Sequence, residues 1–169
     1  QRYEDEVEGI ERSQGSLVAK TLFQVRGRTI APEATFTLRL SYGVVKGYEE
    51  AGKEIPWHTT FRGLYQRATG RAPYRLPQRF REKKGALNLA TPFNFVSTAD
   101  IIGGNSGSPV VSTKAEVVGL IFDGNLAMLP NRFLYRDTQA RAIAVHSEAI
   151  LEALRKVYAA DALVKELRP

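Results

Sequence analysis

Cysteine is absent from all 169 residues. That excludes disulfides and thiolate metal sites but leaves the compartment open, because many periplasmic proteins do without cysteine. Histidine occurs only as His58 and His146, so chemistry that needs an imidazole has two candidates in this chain. No apolar run approaches the ~20 residues needed to cross a bilayer, and no secretory leader is visible. The chain opens with Gln1 rather than Met, which fits processing or truncation. Metal-ligand spacings and phosphate-cradling glycine loops are missing as well, so no cofactor and no metal are expected. Repeats and low-complexity segments are lacking. Acidic residues run short in one stretch: Arg62, Arg67, Arg71, Arg75, Arg79, Arg81, Lys83 and Lys84 face Glu82 alone, within a net charge of +6. With Tyr65, Tyr74 and Phe80 interleaved, this can be read as a phosphate-binding face. No recognition motif accompanies it, so a solvated face, or a patch against an acidic part of a larger protein, is the plainer reading. Neither nucleic acid nor a membrane is expected as a partner.

What is present is enough for one core, with 43% apolar residues, and therefore one domain with an appendage. Tyr3, Val7 and Ile10, then Leu17, Val18, Leu22 and Phe23, recur at helical spacing, with Gly15 as an interruption and Gly27 as an end. From Thr35 the period changes to two: Phe36, Leu38, Leu40 and Tyr42 alternate with Thr37, Arg39 and Ser41, as in a half-buried strand. Gly43 and Gly47 bracket a second strand or a bulge. Short helices follow, one capped by Thr59 or Thr60 and closed by Gly70, another starting at Pro77 and ending near Gly85. Residues 92–98 make a strand candidate. Residues 109–112 and 116–122 read as a hairpin turning at Thr113-Lys114-Ala115, and 141–145 as a last strand. Ser147 then caps a helix whose Ile150, Leu151, Leu154, Val157 and Tyr158 form one stripe, and Asp161 caps a final turn.

One stretch carries chemistry. Gly103-Gly104-Asn105-Ser106-Gly107-Ser108-Pro109 holds a serine between small residues before the apolar Val110-Val111. Glycines remove Cβ atoms where the backbone turns tightly and a substrate carbonyl must come close. They also free N–H groups to converge on a developing oxyanion. A glycine-rich turn with Ser106 as a mere turn hydroxyl is the bland alternative. The longer string resembles the nucleophile loop of trypsin-like peptidases. Thr35–Gly43, Thr91–Ile102 and Val118–Asn125 resemble the bacterial serine exo-dipeptidases of the dipeptidyl-peptidase 7 and 11 type, from about Ala34 onward.

The resemblance implies a mainly β fold: the C-terminal barrel of a chymotrypsin-like double β-barrel, with flanking α-helices. Residues 1–26 would be the end of an upstream helical domain, 27–146 the second barrel with the nucleophile loop, and 147–169 the C-terminal helix packed on it. It makes Ser106 the nucleophile, with the backbone N–H groups of Gly104 and Ser106 as oxyanion donors. Phe122, Asp123 and Gly124 fall where these dipeptidases bind substrate; a carboxylate suits a substrate ammonium. Gly124 stands where the acidic-specific relatives carry an arginine, so apolar or aromatic second residues are expected. Asn105 replaces the aspartate that trypsin-like enzymes pair with a new N-terminus, which argues against that activation route.

Serine needs a base and a group that orients the base. His58 lies in Pro56-Trp57-His58-Thr59-Thr60, unlike the Thr-Ala-Ala-His pattern of the trypsin-like base, and His146 is read as a surface or cap residue. Asp100 and Asp123 are the carboxylates nearest Ser106 in sequence. The catalytic histidine and aspartate are therefore expected outside this chain, and the chain alone is expected to be inactive. The expected partners are a peptide with a free N-terminus and the remainder of the parent chain, which can be a homodimer; the expected location is periplasmic or secreted. A trypsin-like endopeptidase domain and a non-catalytic peptide-binding module remain as alternatives.

Overall fold

The computed structural model describes residues 3–27 and 40–168. The chain divides into two units, Gln1–Leu40 and Ser41–Pro169. In the first, a π-helical turn, Glu4–Glu8, leads into α1, Gly9–Arg26. Gly15 does not interrupt this helix. Ser13, Ser16 and Thr21 donate their hydroxyls to carbonyls four residues back, which satisfies them within the helix. Gly27 closes it, its N–H bonding the Phe23 carbonyl.

The second unit is built on an antiparallel five-stranded sheet of β3 (His58–Thr60), β4 (Pro92–Ser97), β5 (Pro109–Val111), β6 (Val117–Gly124) and β7 (Ala142–His146), in the order β3-β4-β7-β6-β5. A separate hairpin joins β1 (Tyr48–Glu50) to β2 (Lys53–Ile55). Four short helices complete the unit: α2 (Phe61–Arg67), α3 (Gln78–Glu82), α4 (Ser147–Lys156) and α5 (Asp161–Leu167). A 3-10 helix, Leu126–Arg132, follows β6. The arrangement is mixed, with strands and helices sharing one unit. Among the described residues the sheet is open, with β3 and β5 at its edges.

The period-two pattern of β7 explains where the cores sit. Ala142 and Ala144 face one core with Phe95, Ile121, Met128 and Ala140. Val145 packs on the other, with Phe61, Leu87, Ala149 and Val157. Phe95, Ala144 and Ile121 are opposite one another across β4, β7 and β6, and the small alanine in the middle leaves room for the large side chains on either side. Helix α4 covers the second core through Ala149, which lies outside the expected stripe, and through Val157 at its end. Of the stripe, Leu151 is also buried, Ile150 and Leu154 are half-buried and Tyr158 is exposed.

Several boundaries differ from the sequence reading. Helix α2 has Thr60 at its N-cap without a capping bond, and ends at Ala68 rather than Gly70. The Thr59 hydroxyl instead accepts from the Asn94 N–H. The helix after Pro77 stops at Lys83, with a 3-10 turn, Lys84–Ala86, behind it. Helix α4 is capped by His146, not Ser147, and α5 starts behind Ala160 with no side-chain cap. Val45 makes only an isolated bridge to Ser97. Of the strand expected from Thr35, residues 35–39 lie outside the described residues; its Leu40, Ser41 and Tyr42 are irregular.

Candidate active site

The serine loop is joined to β6 by backbone bonds. The Gly107 N–H donates to the Ile121 carbonyl at 2.8 Å, and the Ile121 N–H returns to the Ser108 carbonyl at 3.0 Å. Gly104 and Gly107 have φ of 102° and 87°, a backbone region that costs other residues strain. Asn105 braces the turn from within: its side-chain oxygen accepts from the Ile102 N–H at 2.9 Å, and its carbonyl accepts from the Ser108 N–H at 3.0 Å. The amide thus serves the loop itself, through a local side chain–backbone bond to the residue three positions back. The N–H groups of Gly104 and Ser106 donate to no partner among the described residues.

Opposite the loop, β6 carries a bulge. Its register against β7 runs Ile121 to Ala144, then Asp123 to Ile143, so Phe122 is the extra residue. Bulges re-aim side chains and occur beside active sites more often than elsewhere. Here Phe122 and Asp123 are both exposed, and the Phe122 carbonyl accepts the exposed Ser106 hydroxyl at 3.4 Å, a long and weak bond. Asp123 accepts from the Gly124 N–H through Oδ1 at 2.8 Å. Its other carboxylate oxygen makes no hydrogen bond among the described residues.

These residues line one cleft of about 320 Å³, which brings together Ser106, Phe122, Asp123 and Gly124. Its remaining wall includes Ile101, Ile102, Met128, Leu129 and Arg132, which the sequence reading did not single out. The signal was faint. Leu126, Leu129 and Arg132 recur every third residue, the repeat of a 3-10 helix, but no helical or strand period marks the segment.

Neither histidine lines the cleft. His146 Nδ1 accepts from the Glu148 N–H at 3.1 Å as the cap of α4, and burial holds its pKa below the ordinary histidine value, with Glu148 opposing and nearby His58 reinforcing the shift. His58 stacks against Trp57, with ring centroids 3.9 Å apart, and its buried Nδ1 has no hydrogen-bond partner among the described residues. Asp100 lies outside the cleft wall; partial burial raises its pKa. Among the described residues no group of three or more His, Cys, Asp or Glu side chains could hold a metal ion, and no helix is long and apolar enough to cross a membrane. The basic stretch stands apart from the cleft. Three of its eight cations lie over aromatic rings of the same unit, Arg67 over Tyr74, Arg79 over Tyr158 and Lys84 over Tyr65.

Comparison with known proteins places this cleft in a wider setting. The sequence matches the Peptidase S46 family along residues 1–169. It is 33% identical to an Asp/Glu-specific dipeptidyl-peptidase of Shewanella putrefaciens over 82% of this chain and 23% of that protein. It is also 33% identical to a dipeptidyl-peptidase 7 of Porphyromonas gingivalis, over 84% of this chain and 21% of that one. The structure superposes on Porphyromonas endodontalis DPP11 in complex with the dipeptide Arg-Asp, with a TM-score of 0.79 and 25% identity over 89% of this chain and 23% of that one. The chain thus spans between a fifth and a quarter of the length of these relatives.

Proposed function

This chain belongs to the peptidase S46 family, and from that membership we propose that it is the nucleophile-bearing C-terminal part of a serine dipeptidyl aminopeptidase. In this reading Ser106 Oγ attacks the carbonyl that follows the second residue of a peptide, and the N–H groups of Gly104 and Ser106 receive the oxyanion. Asp123 holds the free N-terminal ammonium, with Phe122 beside it, and Gly124 borders the pocket for the second residue. The proton acceptor and its orienting carboxylate come from chain outside this sequence, as does the barrel that completes a chymotrypsin-like pair. Residues 1–26 end a helical domain, 27–146 form the second barrel, and 147–169 close on it; the whole enzyme acts in the periplasm or outside the cell.

A single observation supports the reading. An exposed Ser106, whose N–H has no protein partner among the described residues, lines one cleft with the exposed Asp123 of the β6 bulge. Such donors, aimed where charge develops, supply about 10²–10³ in rate each. An ammonium beside Asp123 gains a charge-assisted hydrogen bond and fixes the scissile bond two residues away, which is how an exopeptidase measures its product.

Two second-residue preferences have support. Gly124 brings no charge, and Ile101, Ile102 and Met128 in the cleft wall are apolar, which favours apolar or aromatic residues. Arg132 lines the same cleft and is in no ion pair among the described residues, which favours an acidic one. We favour the apolar preference, because the apolar wall is continuous with the buried core at Ile121 and Met128 while Arg132 is exposed. In the full-length protein, dipeptidyl-coumarin substrates should be cleaved faster after Leu or Phe than after Asp or Glu. A fluorophosphonate probe should label the protein, and Ser106→Ala should abolish both labelling and turnover. Faster release after Asp or Glu would hand the decision to Arg132; labelling that survives Ser106→Ala would remove the nucleophile.

A further inference from the structure

The cleft wall beyond Gly124 is made by a side chain that fills space a residue at 124 would otherwise claim. A Cβ built on Gly124 would lie 2.5 Å from Met128 Sδ and 3.4 Å from Met128 Cβ. Met128 is 7% exposed and belongs to the core of Phe95, Ile121, Ala142 and Ala144, yet it also lines the cleft. One side of the thioether therefore packs into the protein while another faces the site. The backbone beneath it is pinned. The Met128 N–H donates to the Asn125 carbonyl at 2.9 Å. Asn125 is in turn tied to the approach to β7, accepting from the Arg141 N–H at 2.9 Å and donating through Nδ2 to the Gln139 carbonyl at 2.7 Å. A flexible arm on a fixed base is suited to adjusting a pocket.

We propose that Met128 sets the size of the pocket for the substrate's second residue, with its thioether occupying the space that Gly124 leaves. This rests on the dipeptidyl-peptidase reading above. Methionine has rotatable bonds and a polarizable sulfur that re-seats around branched or aromatic neighbours, so the pocket grades apolar side chains by bulk instead of admitting one shape. The charge-free glycine and the movable methionine work as a pair: widening one or crowding the other changes the same volume.

The test uses the full-length protein and dipeptidyl-coumarin substrates with Ala, Leu or Phe as second residue. Met128→Ala should raise the ratio of kcat/KM for Phe over Ala by about tenfold, the scale on which a pocket reads changes of a few carbon atoms. Met128→Leu, similar in volume but branched, should lower Phe relative to Leu. Gly124→Ala should push the thioether into the cleft and penalise Phe most, and most of that penalty should vanish in the Gly124→Ala/Met128→Ala double variant. A parallel loss on all three substrates, or strictly additive single and double variants, overturns the assignment of Met128. A parent protein that releases no dipeptide from any substrate defeats the dipeptidyl-peptidase reading itself, and Met128 falls with it.

Discussion

Arg141 shows how far a single side chain can depart from its type. Arginine is rarely fully buried, yet here it is 2% exposed. Its guanidinium donates to four carbonyls: Nε to Lys46 at 3.0 Å, Nη1 to Asp137 and Ala140 at 2.7 Å each, and Nη2 to Gly47 at 2.7 Å. It also lies over the Tyr48 ring at 5.4 Å. Among the described residues no carboxylate pairs with it. The planar fork thus ties the segment before β1 to the start of β7, and the same residue's backbone N–H holds Asn125 beside the cleft. Methionine of similar length keeps the packing but leaves those carbonyls without their donor. Arg141→Met should cost about 3 kcal/mol, since hydrogen bonds to a charged group are among the strong ones and buried acceptors left unpaired carry a desolvation penalty. Hydrogen exchange at the β7 amides in the full-length protein should speed up by about a hundredfold, at ~1.4 kcal/mol per factor of ten. Exchange unchanged from the parent would show that the four carbonyls find water as readily as they find arginine.

At the scale of elements, the strands and the terminal helix were legible because their apolar periods were long and regular. Residues 92–98, the hairpin from Pro109 and the stripe on α4 all appear close to their expected places. The β1–β2 hairpin was not legible, because Tyr48–Glu50 and Lys53–Ile55 are polar and mostly exposed, so no alternation marks them. In the site, Ser106 with its glycines and the Phe122–Gly124 stretch could be read, but the bulge that turns Phe122 and Asp123 outward could not. A bulge is a mismatch between two strands and leaves no mark on either one alone. Met128 was hidden for a related reason, since a residue that packs over a glycine is found only by building the neighbour. The cap of α4 was misplaced by one residue, and the difference has a measurable consequence. Ser147 is the usual type of cap, but His146 accepts the Glu148 N–H, and burial lowers its pKa in the folded chain. Folding therefore favours the neutral ring. The resulting stability is present above the ordinary histidine value near 6.5 and is lost as pH falls through the lowered folded value, where the protonated ring cannot accept the bond. In His146→Asn, whose amide caps without titrating, this part of the acid sensitivity should disappear. Proton NMR should find His146 titrating below the free-histidine range, and unfolding midpoints from pH 7 to 5 should fall more steeply for the parent than for His146→Asn. Equal slopes would assign the acid response to other groups.

At the scale of the whole molecule, the cleft lined by the proposed nucleophile has no imidazole among the described residues: one histidine caps α4 and the other is half-buried against Trp57. A serine hydroxyl whose one bond among the described residues is to a carbonyl keeps its proton and stays a poor nucleophile at neutral pH. Next to the cleft, Leu126, Leu129 and Phe133 are 85%, 71% and 89% exposed, an apolar rim of the kind that marks a surface meant to be covered. The relatives it matches are four to five times as long. Under the proposed function, the proton acceptor and the cover for that rim would both come from the remaining length. The 169 residues expressed alone should therefore resist a fluorophosphonate probe and release no dipeptide, even where near-UV circular dichroism shows packed aromatic side chains. The full-length protein under the same conditions should be labelled at Ser106. Labelling of the folded 169-residue chain at a rate near that of the full-length protein would mean that an acceptor for the serine proton lies within this sequence, and His58, whose Nδ1 is unpartnered among the described residues, would be the first to substitute.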